Sequence, residues 1–220
     1  FDRFFDVIPR LKCNNIAITS HFGYIQQKDK YHLADFQKIH NGMIGLSSAK
    51  IFCLSPEIKE IYLQDGVKEK NLYVTPNGVS LERFAFSESP KKPDFSIYLA
   101  KIEYRKRQCS FHNIEGLYFA GKIEDSRYNR NNYLGEWDKH RVYEGLTDFA
   151  NLVLLSDGEA HPLVCMEALS SGLGLVVSSY AKANLNESLP FIDVIKEDNI
   201  TDLDHVAAVI KQNRKSSIEN

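Results

Sequence analysis

The chain has 220 residues, of which 43% are hydrophobic and 25% are charged, and its formal net charge at pH 7 is −2. This length and composition predict a soluble globular protein with one large or two small domains, and the near-neutral charge gives no reason to expect a nucleic-acid partner. No apolar run in the sequence approaches the roughly 20 residues needed to cross a bilayer. Peripheral contact with a membrane surface stays compatible with this composition.

The four cysteines lie far apart in the sequence, at Cys13, Cys53, Cys109 and Cys165. They form no C-x-x-C pair and have no histidine at zinc-finger spacing, so they are not predicted to bind a metal. Cys53 and Cys165 lie inside apolar runs, where a thiol packs like a small hydrophobic side chain. We therefore expect reduced thiols and a cytoplasmic protein. Phe1 is neither an initiator methionine nor part of a signal peptide, so we expect a longer encoded chain.

The first 78 residues are predicted to alternate strands and helices, as in part of a Rossmann-like domain. The predicted elements are a strand over 15–20, a helix over 31–47, a strand over 51–54, a helix over 56–65 and a strand over 72–75. Ser55 and Pro56 suit the cap and the first position of the second helix. His21 directly follows the first strand and is therefore expected at its carboxyl end. The alternative for His21 is an ordinary loop or core histidine.

A polar, proline-bearing linker over 87–94 precedes a second predicted Rossmann-like domain. Its elements are a strand over 95–101, a short helical segment over 108–115, a strand over 117–121, a helix over 141–151, a strand over 191–195 and a helix over 202–213. The loop after the first of these strands is basic, with Lys101, Arg105, Lys106 and Arg107. Such a cluster suits a small phosphate ligand. The alternative is an exposed basic loop without a ligand.

Residues 152–179 are predicted to form one strand–loop–helix–strand unit. The apolar runs 152–155 and 175–178 read as buried strands, parallel to each other by the crossover rule. Pro162 suits the first turn of the intervening helix, and Gly172 suits a left-handed cap at its end. The loop before this helix opens at the carboxyl edge of the sheet, beside a helix N-terminus that favours phosphate.

Two carboxylates lie in this unit, Glu159 in the loop and Glu167 in the helix. Glu167 has the apolar neighbours Met166 and Ala168, and a carboxylate in such surroundings needs hydrogen-bond donors to stay ionised. A ribose diol supplies two donors. On spacing alone, an equally good interpretation is a pair of glutamates satisfied by the helix dipole or by neighbouring backbone N–H groups.

The segment that holds both glutamates, S-x-x-E-x-x-P-L-V-x-x-E-A-L-x-x-G, resembles the signature of retaining glycosyltransferases of the GT-B fold, family 4 type. Further segments follow the order of that family: Y-V-T-P-N-G-V at 73–79, I-Y-L-A-K at 97–101 with Lys106 after it, and L-Y-F-A-G at 117–121. The resemblance implies an α/β protein with Rossmann-type parallel sheets and flanking helices. It divides the chain into a partial acceptor-side domain over 1–78, a linker over 79–94 and a complete nucleotide-sugar domain over 95–220.

By this resemblance the protein transfers a hexose from a UDP- or GDP-hexose to a glycan, lipid or protein hydroxyl, with retention and without a metal or other cofactor. Glu167 is implied to hold the ribose, and Lys101 and Lys106 to neutralise the diphosphate. Lys101 replaces an arginine of the family and so loses its bidentate fork. The other implied positions are Glu159, His161, Pro162 and Leu163 at the sugar and distal phosphate, His21 at the cleft, and Gly135 at the base. Trp137, close to Gly135, is either a base contact or a core residue.

The first half of the acceptor-side domain, with its glycine-rich phosphate loop, has no counterpart before residue 1. The missing part is therefore outside this sequence, reduced in this protein, or supplied by a partner chain or an oligomer. An alternative function follows, a non-catalytic half-enzyme or subunit that binds a nucleotide sugar or glycan. A glycosidase-like use of Glu159 and Glu167 as a catalytic pair is a third interpretation, which the resemblance disfavours.

Overall fold

The computed structural model describes residues 7–13, 15–21, 34–46 and 49–219. The chain divides into two compact units. The first unit comprises Phe1–Asn77 and Gly158–His161, and the second comprises Gly78–Asp157 and Pro162–Asn220. No helix formed by the described residues is long and apolar enough to cross a membrane.

The first unit contains, among its described residues, a three-stranded parallel sheet in the order β1-β2-β3. The strands are β1 (Ala17–Ser20), β2 (Lys50–Cys53) and β3 (Leu72–Val74), and the helices are α1 (Ala34–Ile44) and α2 (Pro56–Gln64). Helix α2 begins as predicted, because the Ser55 side chain accepts a hydrogen bond from the Ile58 N–H and Pro56 occupies the first turn. The helix predicted over 31–47 ends earlier than predicted, at Ile44, and its predicted start at 31–33 lies outside the described residues.

The second unit contains, in the part of the chain that is described, a five-stranded parallel sheet in the order β5-β4-β6-β7-β8. The strands are β4 (Lys92–Leu99), β5 (Leu117–Ala120), β6 (Phe149–Leu154), β7 (Gly174–Ser178) and β8 (Ile192–Ile195). The helices are α3 (Gln108–Phe111), α4 (Lys139–Gly145), α5 (Leu163–Ser170) and α6 (Leu203–Glu219). Strands β6 and β7 are parallel, as the crossover rule predicts.

The helix predicted over 141–151 is wrong in its second half. Helix α4 ends at Gly145, and β6 begins at Phe149. The apolar stripe that suggested a longer helix ends on Phe149, whose backbone pairs with β4 at Lys92 instead. Tertiary pairing of a buried strand therefore overrides the helical spacing.

Two other boundaries differ from the prediction. Strand β4 begins at Lys92, inside the segment read as a linker, because Lys92 pairs with Phe149. Helix α6 extends to Glu219, beyond the predicted end at Asn213. Its last turns are anchored, since Ser217 Oγ donates a hydrogen bond to the main-chain oxygen of Ala150 at 2.8 Å.

Helix α6 packs over a row of small and polar residues on the sheet. Ser96 of β4 pairs in register with Asn151 of β6, which pairs with Gly174 of β7. Arg214 Nε donates to Ser96 Oγ at 2.8 Å, and Asn151 Nδ2 donates to Asn213 Oδ1 at 2.8 Å. A Cβ atom on Gly174 would lie 2.7 Å from Asn213 Oδ1. The helix thus approaches the amino ends of the strands too closely for a side chain at position 174.

All four cysteines are free thiols. Cys53 and Cys165 are buried, as their apolar neighbours predict, whereas Cys13 is exposed. Burial raises the pKa of the Cys53 thiol to about 11 and Lys59 opposes this shift, so the thiol stays protonated near neutral pH.

Candidate functional site

The loop after β4, residues 101–107, carries both predicted phosphate-binding lysines and is called the basic loop below. Lys101 Nζ lies 3.2 Å from Glu124 Oε2, and the Lys101 side chain is about half exposed. Lys106 closes a short helical turn over Tyr104–Lys106. The Lys101 main-chain oxygen accepts a hydrogen bond from Gln108 Nε2 at 2.8 Å. The basic loop therefore presents its lysines from a bonded backbone.

The two arginines of the basic loop differ from the sequence interpretation, which grouped them with the phosphate-binding lysines. Arg105 Nη2 lies 2.9 Å from Glu103 Oε1. Arg107 Nη2 donates to Asp157 Oδ1 at 2.5 Å and to Glu197 Oε2 at 2.9 Å. Burial lowers the pKa of Arg107, but the two carboxylates more than reverse this and raise the pKa overall. The Arg107 guanidinium is thus ion-paired with two carboxylates of its own chain.

Helix α5 follows β6 and carries Glu167, which is half-buried. Burial raises the pKa of the Glu167 carboxyl group, and the charge of Lys139 partly opposes that shift. Among the described residues, no side chain or backbone N–H donates a hydrogen bond to this carboxylate. A half-buried carboxylate without a donor is poorly solvated and is suited to external donors.

Pro162 occupies the N-cap position of α5 rather than its first turn, and its side chain provides no cap. The Pro162 main-chain oxygen accepts the Cys165 N–H at 3.2 Å, but no capping side chain accepts the N–H groups of Leu163 and Val164. Leu163, the first residue of α5, is exposed. This helix start is consequently open to an anionic group.

Gly135 lies in the left-handed region with φ of 88°, and its main-chain oxygen accepts the Gly121 N–H at 3.0 Å. No described atom lies within 4 Å of the place where a Gly135 side chain would begin. Trp137, by contrast, packs against Phe149 with ring centroids 6.3 Å apart and joins the core. Of the two interpretations for Trp137, the structure supports the core residue.

Three predicted site residues belong to the first unit. His21 directly follows β1 and is exposed. Glu159 and His161 lie in segment 158–161, which joins that unit through Ala160, a member of its hydrophobic core.

His161 is buried and bonded twice to Asn77, a link that the sequence interpretation missed. The Asn77 N–H donates to His161 Nδ1 at 2.9 Å, and Asn77 Nδ2 donates to the His161 main-chain oxygen at 2.9 Å. Burial lowers the pKa of His161, and an Nδ1 that accepts an N–H leaves the proton of the neutral ring on Nε2. Asparagine inside a P-N-G turn was the signal for such a contact.

An open cavity of about 490 Å³ adjoins the basic loop. Its lining contains both acidic and basic side chains and consists of Glu103, Tyr104, Arg105, Glu124, Asp125, Ser126 and Arg127. Asp125 is paired with Arg127, and Glu124 with Lys101. In the described part of the chain, no group of three or more His, Cys, Asp or Glu side chains is arranged to hold a metal ion.

Comparison with known proteins shows similarity of structure but not of sequence. No protein-family model and no curated protein matches the sequence. The structure of TarM matches 98% of this chain with a TM-score of 0.73 at 14% identity, and the match covers 48% of TarM. HepE of Anabaena, in complex with UDP and glucose, matches 99% of this chain with a TM-score of 0.74 at 13% identity, covering 69% of HepE.

A third solved structure is WaaG, a glycosyltransferase involved in lipopolysaccharide biosynthesis, with a TM-score of 0.69 at 12% identity over 94% of this chain. This chain spans about half the length of TarM and about two thirds of HepE. At these identities the comparisons concern the fold. The chain has the GT-B-like α/β fold that the sequence resemblance implied, with parallel Rossmann-type sheets and flanking helices.

Proposed function

We propose that this chain is the donor-binding part of a glycosyltransferase that moves a hexose from a nucleotide diphosphate sugar to an acceptor hydroxyl. The observation that carries the proposal is the Glu167 carboxylate, half-buried on α5 and without a hydrogen-bond donor among the described residues. A ribose diol donates two hydrogen bonds to such a carboxylate and thereby offsets its poor solvation.

The diphosphate is assigned to the basic loop. Lys101 and Lys106 supply positive charge there, and negative charge builds up on the leaving diphosphate during transfer. Lys101 Nζ lies 3.2 Å from the exposed Glu124 carboxylate, and an exposed ion pair of this kind is weak enough for a phosphate to compete with it. The start of α5 at Pro162 and Leu163 has no side-chain cap, and we assign it to the phosphate as well, because helix N–H groups favour phosphate.

The remaining roles follow the family resemblance. We assign Glu159 and His161 to the sugar and the distal phosphate, His21 to the sugar in the acceptor-side unit, and the Gly135 backbone to the base. In a retaining transfer the acceptor oxygen bonds to the anomeric carbon on the face that the phosphate leaves. The bond between that carbon and the phosphate oxygen breaks, and the phosphate takes the acceptor proton. This assignment uses neither a metal nor a carboxylate nucleophile.

The solved complexes support a UDP-hexose donor and a glycan acceptor. HepE was solved with UDP-glucose, and a TarM mutant was solved with fondaparinux, alpha-GlcNAc-glycerol and UDP. For this chain we propose UDP-hexose ahead of GDP-hexose, and a glycan ahead of a lipid or protein acceptor. We place the protein in the cytoplasm, with peripheral membrane contact where the acceptor is membrane-bound.

Domain organisation stays part of the proposal. We take residues 1–78 as a partial acceptor-side domain, 79–94 as the linker and 95–220 as the donor domain, with a partner chain or further sequence completing the first. Since this chain covers 48% of TarM, the alternative is a half-enzyme that binds the donor without transferring it.

Calorimetric titration with UDP and with GDP tests the donor site. Lys106→Ala should weaken nucleotide affinity by about ten- to a hundredfold, because a charge-assisted phosphate contact is lost. Lys122→Ala is the control, since Lys122 is a lysine outside the basic loop that lies 3.4 Å from Glu124, the carboxylate that also pairs with Lys101. Equal affinity in wild type and Lys106→Ala would remove the proposed site. Tight binding without hexose turnover by the chain would favour the non-catalytic alternative.

A further inference from the structure

The basic loop is bonded to the end of β6 through its backbone. The Tyr98 hydroxyl donates to the main-chain oxygen of Lys106 at 2.5 Å, and the Asp157 N–H donates to the main-chain oxygen of Arg105 at 2.8 Å. Neither bond involves a charged side-chain atom of the loop. The two bonds therefore hold the backbone of the basic loop in place, and neither of them pairs with a lysine charge.

Arg107, the last residue of the loop, has an unusual backbone conformation. Its φ of 56° and ψ of 15° lie in the left-handed region, which costs free energy for residues other than glycine. Its guanidinium reaches both Asp157, which follows β6, and Glu197, which follows β8. One side chain thus joins the segments that leave three strands of the sheet at their carboxyl ends, and these ion pairs offset the backbone cost.

Tyr98 joins the basic loop to β6 a second time. The ring is fully buried within β4, where a tyrosine needs a partner for its hydroxyl group. That hydroxyl accepts the Leu155 N–H at 3.0 Å while it donates to Lys106. The two links use different chemistry, a neutral hydroxyl and an ion-pair fork, and both hold the basic loop against the end of β6.

We infer that Arg107 and Tyr98 are positioning residues that hold Lys101 and Lys106 ready for a diphosphate. A loop that is ordered before the ligand arrives does not have to lose conformational entropy on binding, so affinity rises without a new ligand contact. We expect neither residue to contact the ligand itself, because the Tyr98 ring is buried and Arg107 is already bound to two carboxylates. This inference rests on the proposed function, because it assumes that the basic loop binds the nucleotide.

The Tyr98 link is tested with a single hydroxyl deletion. Tyr98→Phe should weaken UDP affinity by about fivefold and speed hydrogen exchange of the backbone amides in residues 101–107. Tyr128→Phe is the matched control: Tyr98 and Tyr128 pack against the same Phe119 ring, at centroid distances of 5.7 and 5.5 Å. The Tyr128 hydroxyl bonds to Asn132, so its deletion should leave UDP affinity and loop exchange unchanged.

The Arg107 link is removed as a unit, because losing Arg107 alone leaves two partly buried carboxylates without their cation and endangers the fold. The triple variant Arg107→Met, Asp157→Asn, Glu197→Gln keeps similar volumes and should weaken UDP affinity by about tenfold, with faster exchange in the basic loop. The control is Lys91→Met with Asp148→Asn, which breaks a 2.9 Å pair at the amino ends of β4 and β6.

Lys106→Ala, measured beside these variants, separates the two ideas. The inference is overturned, and the proposed function kept, if Lys106→Ala weakens UDP binding while Tyr98→Phe and the triple variant bind and exchange like the wild type. If Lys106→Ala binds UDP normally, the proposed function fails and the inference fails with it. Weaker UDP binding with faster exchange confined to residues 101–107 supports the positioning role, because general destabilisation would speed exchange throughout the second unit.

Discussion

The amino and carboxyl edges of the five-stranded sheet both carry buried polar side chains, but those side chains bond to different things. At the amino edge, Asn213 Nδ2 donates to the main-chain oxygens of Leu175 and Phe191 at 3.1 Å each, so helix α6 is bonded to strand starts. At the carboxyl edge, Tyr98 and Arg107 bond to the basic loop and to the segments after β6 and β8.

The comparison teaches that buried polarity serves folding at one edge and the presentation of charge at the other. At the amino edge helix α6 covers the strand ends, and its polar side chains bond to buried groups of the sheet. At the carboxyl edge the bonds end in the basic loop, which carries Lys101 and Lys106. Changes at the amino edge should therefore alter stability without altering nucleotide affinity, and changes at the carboxyl edge that leave no unpaired buried charge should alter nucleotide affinity more than stability.

Asn213→Ala should have the largest effect and break the amino edge. Its removal takes one hydrogen bond each from the Leu175 and Phe191 oxygens, the Asp193 carboxylate and the Asn151 amide, for a loss of about 3 kcal/mol in the free energy of unfolding. Urea unfolding measures this loss. The exposed neighbour Gln212→Ala on the same helix is the control, and a wild-type midpoint for Asn213→Ala would contradict the role given to α6.

Gly174→Ala tests the same edge by overpacking. The new Cβ would lie 2.7 Å from both Asn213 Oδ1 and Ser217 Cβ, so α6 has to shift, at a cost of about 2 kcal/mol. UDP affinity of the folded fraction should stay unchanged. Gly78→Ala serves as control, because no described atom lies within 4 Å of its added Cβ. Equal destabilisation by both alanines would show that crowding is not the cause.

Glu167→Gln tests the carboxyl side of the comparison. An uncharged amide accepts weaker hydrogen bonds from a ribose diol than a carboxylate does, so UDP affinity should fall by about tenfold. Stability at neutral pH should not fall, since a poorly solvated charge has been removed. Titration calorimetry together with urea unfolding shows both effects. Undiminished affinity would take Glu167 out of the ribose site.

The smallest expected effect is a pH dependence that Glu167 gives to folding. Burial raises its pKa in the folded chain above the ordinary 4.5, so the folded chain keeps a proton that the unfolded chain has lost. This contribution to stability is complete below the unfolded pKa and is lost as pH rises through the folded pKa. The difference in unfolding free energy between wild type and Glu167→Gln should therefore decrease as pH rises from the ordinary 4.5 through the raised pKa of Glu167. A difference independent of pH would contradict the raised pKa.

Sequence pattern alone located several strands and named the candidate site residues. Short apolar runs bounded by turn residues identified β2, β6 and β7, and Ser55 with Pro56 identified the start of α2. The pattern failed at 141–151, because Val142, Leu146 and Phe149 have the spacing of a helix face. Phe149 pairs with a strand distant in sequence, and periodicity within a window contains no information about that pairing.

The residues that hold the basic loop were beyond sequence reasoning. Tyr98 read only as part of an apolar strand, and its hydroxyl meets Leu155, which lies 57 positions away. Arg107 read as one more positive charge of a phosphate-binding cluster, whereas its carboxylates lie 50 and 90 positions away. The charge of a side chain can be read from the sequence, but the residue with which it pairs cannot.

The sequence by itself determined the alternation of strands and helices, the resemblance to GT-B glycosyltransferases, and the candidate residues Lys101, Lys106, Glu159 and Glu167. These follow from local spacing and residue chemistry, which are properties of neighbouring positions. Only the tertiary structure decided that Arg107 belongs to two carboxylates and that Glu167 lacks a donor among the described residues. Both facts depend on which distant segments the sheet brings together, because burial and hydrogen bonding are set by spatial neighbours.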